Sequence, residues 1–170
     1  RDLHSFPTRR SSDLDLSALY TIAETLLKDY RYSTKVLPEK SELQNAYEEV
    51  ASFWETLLNN LDAFQDYIQL TRQDKTISSM RENNLLLKPV TQMALAHVAR
   101  MAKQKELPWV EIVDKLNRIS WSFDNELWFN LLVIGSANKK MITGKEAVRG
   151  VGMVIAYLVM GDKMTNAEIE

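Results

Sequence analysis

The chain has 170 residues, 45% apolar and 26% charged, with a formal charge of −2. That is enough for one domain with a real core, and the near-neutral balance confines any nucleic-acid contact to a local patch. Cysteine is absent, which excludes disulfides and thiolate metal sites and agrees with a reducing, cytoplasmic location. No apolar run approaches the ~18 residues of a membrane span.

Residues 1–14 read RDLHSFPTRRSSDL and resemble the translation of a short-read sequencing adapter. They are set aside from fold reasoning as not native. His4 is then not a ligand and Arg9-Arg10 not a DNA-binding arm. On this reading the natural protein is cut at its N-terminus, and residues 15–170 are a C-terminal part, with a second truncation expected at the far end. Removing the stretch's three Arg and two Asp takes the formal charge from −2 to −3.

The first predicted helix spans 15–28, with Leu16, Leu19, Tyr20, Ala23, Leu26 and Leu27 at helical spacing. Asp15 or Ser17 suits its cap. A polar connection leads to Pro38, a residue fitted to a helix's first turn. The apolar face from there is Leu43, Ala46, Tyr47, Val50, Trp54, Leu57, Leu58 and Leu61; Phe64, Ile68 and Leu70 continue it or open a short following piece. Asp62 and Asp66 stand four apart, and a solvated face is their preferred reading, since no other catalytic residue type accompanies them. Residues 71–84 are polar and read as a loop with at most a short turn.

A helix is predicted over 90–105, with Val90, Met93, Ala94, Ala96 or His97, and Met101 inward. His97 has no second His outside the set-aside stretch and no Cys to form a metal site with, and reads as an ordinary helix residue. Leu107-Pro108-Trp109 opens a helix with Ile112, Val113 and Leu116 inward, ending near Arg118. Trp121 and Trp128 follow, separated by turn formers including Asp124 and Asn125. They read as a packing hinge, with base stacking as the alternative. Phe129 to Ile134 is a short strand or a helical turn, and length alone cannot decide. After a turn at 135–138, a last long helix runs from Gly144 to Met160 with Gly161 as its stop. Val148, Val151, Gly152, Ile155 and Leu158 or Val159 form its face. Gly150 and Gly152 each cost about 1 kcal/mol relative to Ala, so another backbone is expected close by. Thr165 and Glu168 have the spacing of a capping box for one more helix. The fold class is mostly α, a single-domain bundle of five or six helices with at most a short strand pair.

Signatures of nucleophilic, zinc-protease, dinucleotide-binding and redox-dithiol enzymes are absent, so no catalytic residue, metal site or cofactor is assigned. The Gly144-Lys145 pair lacks the Gly-rich loop of a nucleotide-binding P-loop. The chemistry that remains is anion binding. Lys139, Lys140, Lys145 and Arg149 place four cations within eleven residues, against one Glu, at a predicted helix N-terminus that attracts negative charge.

Five groups of residues occur in an order that resembles a known family. They are Leu16-Ser17-Ala18-Leu19-Tyr20; the Phe53-Trp54 pair; Arg81 with Asn84-Leu85-Leu86 and Lys88-Pro89-Val90; Ile119-Ser120-Trp121 with Asn125 and Trp128; and Lys140-Met141 with Thr143-Gly144-Lys145. The chain is similar over 16–170 to the C-terminal half of a DGQHR-domain protein of the DndB type, the family associated with DNA sulfur modification (phosphorothioation). The motif that names such domains, Asp-Gly-Gln-His-Arg, does not occur here. The resemblance implies a DNA-binding regulator of modification genes or of a related bacterial defence system, with DNA, other modification proteins and a second copy as expected partners. Arg81, Lys88, Lys139, Lys140, Lys145 and Arg149 become candidate phosphate contacts, and Trp121, Asn125 and Trp128 candidate packing or stacking residues. Two alternatives are the support or lid of an enzyme whose catalytic half lies elsewhere, and a helical scaffold.

Overall fold

The computed structural model describes residues 16–30, 38–70, 76–135 and 138–169. The set-aside stretch 1–14 lies outside them. Eight α-helices occur among the described residues: α1 (Leu16–Leu26), α2 (Lys40–Asn60), α3 (Asp62–Gln69), α4 (Thr76–Asn83), α5 (Pro89–Gln104), α6 (Trp109–Leu116), α7 (Lys145–Met160) and α8 (Asn166–Ile169). One hairpin joins β1 (Val133–Ile134) to β2 (Lys140–Met141), antiparallel, with Val133 opposite Met141. The mostly α class therefore holds. The helix count exceeds six because the second predicted helix breaks at Leu61, whose extended backbone ends α2 and begins α3, and because α4 occupies part of the predicted loop.

The hub is α5. Pro89 starts it, as suits a residue with no N–H to leave unpaired, and nine of its sixteen side chains are buried. Four of those are Ala, so neighbouring backbones come close. Helices α1 and α7 pack along it. At the second crossing a Cβ built on Gly152 would lie 3.4 Å from both the Ala94 carbonyl oxygen and His97 Cβ. The expected close approach is thus real at Gly152. It does not extend to Gly150, where nothing stands within 4 Å of the same position.

Two predicted faces are corrected by packing. In α1 the buried residues are Ala18, Ile22, Thr25 and Leu26, while Leu16 and Tyr20 are 80% and 66% exposed. The real stripe is one register away from the one read off the larger side chains. In α2 only Phe53 and Leu57 are buried, and Tyr47 is 69% exposed. Among the described residues Leu43 and Tyr47 of its first half stay exposed, and Val50 is the first of its apolar side chains to pack against the core. Phe53 instead anchors α2 by stacking on Trp109 of α6, with centroids 5.7 Å apart.

Candidate nucleic-acid interface

The segment from Asn83 to Phe129 is clamped before any charge is placed. The Leu85 N–H donates to the Trp121 carbonyl (2.8 Å) and the Phe123 N–H to that of Asn83 (2.9 Å). This joins the Arg81-to-Lys88 motif to the tryptophan segment. Asn84 holds the buried turn at Leu85–Leu87 by accepting from the Leu86 N–H at 2.9 Å. Asn125 does the same one turn on: its side-chain oxygen accepts from the Leu127 N–H at 3.1 Å, and its amide donates to the Ser120 carbonyl at 2.8 Å.

Trp121 and Trp128 stack on each other at 4.7 Å, 6% and 0% exposed. Each indole N–H is satisfied internally, by the Leu116 carbonyl and the Ser120 carbonyl, both at 2.9 Å. Neither ring offers an open face to a nucleic-acid base.

The six candidate cations separate into two groups. Three are engaged in local contacts or partly desolvated. Lys139 is half-buried, paired with Asp124, and its ammonium lies 5.3 Å from the Phe129 ring centroid. Arg81, at the end of α4, lies over the Tyr67 ring at 5.2 Å. Lys88 precedes α5, and burial lowers its affinity for the proton, with Glu82 partly opposing this. The other three, Lys140, Lys145 and Arg149, are exposed and have no ion-pair partner among the described residues. They lie on the last hairpin strand and the first turns of α7.

The geometry between them is set by glycine. Gly144 caps α7 at φ 123°, ψ 170°, a conformation essentially closed to L residues, and no side chain caps the helix. The first-turn N–H groups of α7 therefore receive no side-chain cap, and Lys145 beside them is exposed. Gly135 makes the hairpin turn at φ 90°, where a Cβ would stand 2.7 Å from the Asn138 carbonyl oxygen.

A second set of charged side chains was not visible from local spacing. Met93, His97, Arg100 and Gln104 are spaced i, i+4, i+7 and i+11 along one face of α5, the first three half-buried and Gln104 exposed. Asp29, just past α1, accepts from Arg100 through both carboxylate oxygens (2.6 and 2.8 Å) and from Gln104 at 3.3 Å. His97 is half-buried, and its proton affinity is lowered first by desolvation, then by the charges of Lys28, Arg100 and Arg149. Among the described residues no group of three or more His, Asp or Glu could hold a metal ion.

The family model for DndB, described as DNA-sulfur modification-associated, matches residues 3–158. The chain belongs to the DndB family. No curated protein and no solved structure matches it. Membership of DndB links the chain to DNA sulfur modification systems. Among the described residues no helix is long and apolar enough to cross a membrane.

Proposed function

We propose that this DndB-family chain is a DNA-binding regulatory protein of a sulfur-modification system, and that it grips the phosphate backbone with the start of α7. The observation that carries this reading is the trio Lys140, Lys145 and Arg149, exposed and without an ion-pair partner among the described residues, beside a glycine-capped helix N-terminus. Cations and uncapped helix N–H groups of this kind suit phosphate and carry no base-specific information. Lys139 has a different part: its pairing with Asp124 holds the hairpin against the tryptophan segment and leaves less of its charge for DNA. Arg81 and Lys88 act within the α4–α5 connection in the same supporting way.

The test is titration of a labelled duplex with the full chain over a range of salt. Each phosphate neutralised contributes about −0.9 to the slope of log affinity against log salt. Replacing Lys140, Lys145 and Arg149 by Ala should weaken binding and flatten that slope by up to about three contacts' worth. Lys139→Ala should change it little. Equal affinity and slope before and after the triple replacement would remove the α7 patch from the interface.

A further inference from the structure

The far end of α5 closes in a Schellman turn. The Leu107 N–H donates to the Ala102 carbonyl at 2.9 Å, and the Glu106 N–H to that of Lys103 at 3.0 Å. Glu106 sits in the left-handed position of this turn, at φ 55°. Glycine is the usual occupant there, because a Cβ crowds its own backbone at such angles. Glu106 is exposed, and among the described residues its carboxylate makes no ion pair or hydrogen bond that would offset this cost.

The same residue lines a cavity of about 340 Å³ where α1, α2, α5 and α6 meet, within the size range of small-molecule sites. Its apolar wall includes Leu26, Phe53, Leu107 and Trp109. Phe53 and Trp109 stack there, 16° from parallel. The indole N–H of Trp109 is buried and has no acceptor among the described residues, unlike those of Trp121 and Trp128. Two further charged residues line the cavity, Lys103 and Glu49. They neutralise each other at 2.5 Å, and the Lys103 ammonium also lies 5.2 Å from the Tyr30 ring centroid. The charge left over is that of Glu106. Backbone held in a disfavoured conformation clusters at ligand sites, and here it stands beside an apolar cavity with one uncommitted acid.

We propose that this cavity binds a small organic cation, an aromatic body seated against Phe53 and Trp109 with a protonated amine paired to Glu106. The apolar wall selects the body, since covering it removes apolar surface from water. The Trp109 donor favours an aromatic body over a saturated one, because an aromatic face is a weak acceptor for an indole N–H. Glu106 selects the sign of the charge. An anion would meet an unpaired carboxylate and a lysine already neutralised, so the site suits no DNA phosphate. It shares no residue with the α7 patch and stands whether or not the chain binds DNA.

The experiment is titration of the full chain with 2-phenylethylamine, 2-phenylethanol and phenylacetate at neutral pH, followed by NMR through the assigned indole resonance of Trp109. The three probes share a body and differ in charge. The amine should bind about two- to five-fold more tightly than the alcohol, the reach of one partly exposed charge pair, and phenylacetate should bind most weakly. Glu106→Gln should bind amine and alcohol alike. Glycine takes positive φ freely, so Glu106→Gly should raise the denaturant midpoint of the ligand-free chain while losing the preference for the amine. An amine preference that survives Glu106→Gln, or phenylacetate binding as tightly as the amine, overturns the assignment. So does a Trp109 resonance that no probe shifts. A lower midpoint for Glu106→Gly overturns it as well, since the acid would then serve the nearby start of α6.

Discussion

Two glycines two residues apart on α7 show what a single side chain can report. Sequence treats Gly150 and Gly152 alike, as interior helix glycines that each lose about 1 kcal/mol against Ala. The structure separates them. Around Gly150 a Cβ meets nothing within 4 Å, so Gly150→Ala should raise stability by about 0.5–1 kcal/mol in denaturant unfolding, through helix propensity alone. Gly152 faces the Ala94 carbonyl and His97 Cβ at 3.4 Å. There a methyl group just fits, and a larger side chain must push α7 off α5. Gly152→Leu should therefore cost about 1–3 kcal/mol, as overpacking does. Equal stabilisation by both replacements would mean that the α5–α7 approach is looser than described. The same distinction explains what could be read in advance. Close backbone approach somewhere on this face followed from two costly glycines; which one needed it depended on where α5 lies, and that is a tertiary fact. Lys139 is a parallel case. It counted as one of four neighbouring cations until folding brought Asp124, fifteen residues earlier, to its ammonium.

At the scale of elements, capping chemistry was the most legible signal and apolar periodicity less so. Thr165 and Glu168 were spaced as a capping box, and Glu168 indeed accepts from the Thr165 N–H at 2.7 Å and from its hydroxyl at 2.8 Å. What spacing did not reveal is the third partner, Lys105 from the end of α5, at 2.9 Å. The Thr165 N–H, then Lys105 and the Thr165 hydroxyl, hold the Glu168 carboxyl down to about 2, from an ordinary 4.5. The depressed value means that the carboxylate's contribution to docking α8 is complete above about 4.5 and is lost as pH falls toward about 2. Protection of the α8 backbone amides should fall across that window, and Glu168→Gln should show weaker protection that no longer changes there. A wild-type profile flat through the window would contradict the three-way contact. By contrast, α4 was missed because it buries no side chain of its own. Without a buried face there is no apolar period to detect, and α4 is joined to its surroundings through Arg81 over Tyr67 and its approach to the buried turn at Leu85–Leu87.

For the molecule as a whole, burial is very unevenly shared between the helices. α5 has neighbours on most sides, and α1, α6, α7 and the Leu85–Leu87 turn all touch it. α2 is the longest helix among the described residues, yet only Phe53 and Leu57 are buried, both in its second half. Its first half keeps an apolar pattern, yet Leu43 is 51% and Tyr47 69% exposed, so the apolar period there marks no buried face. Periodicity shows which side of a helix is apolar, but only the fold shows whether anything covers it. At its start the Glu39 N–H donates to the Glu42 carboxylate at 2.8 Å, and a contact within one turn is worth little against fraying. Opening of residues 40–48 therefore requires no loss of core, whereas opening of α5 requires loss of nearly all of it. Hydrogen exchange should separate the two. Amides of 44–48 should exchange through local fraying at a small fraction of the global unfolding free energy, while those of 95–99 exchange only by global unfolding. Added denaturant should accelerate the second set steeply and leave the first almost unchanged, because fraying exposes little new surface. Protection of 44–48 that rises with protein concentration would instead show that a second copy covers Leu43 and Tyr47, since mass action protects only what association buries.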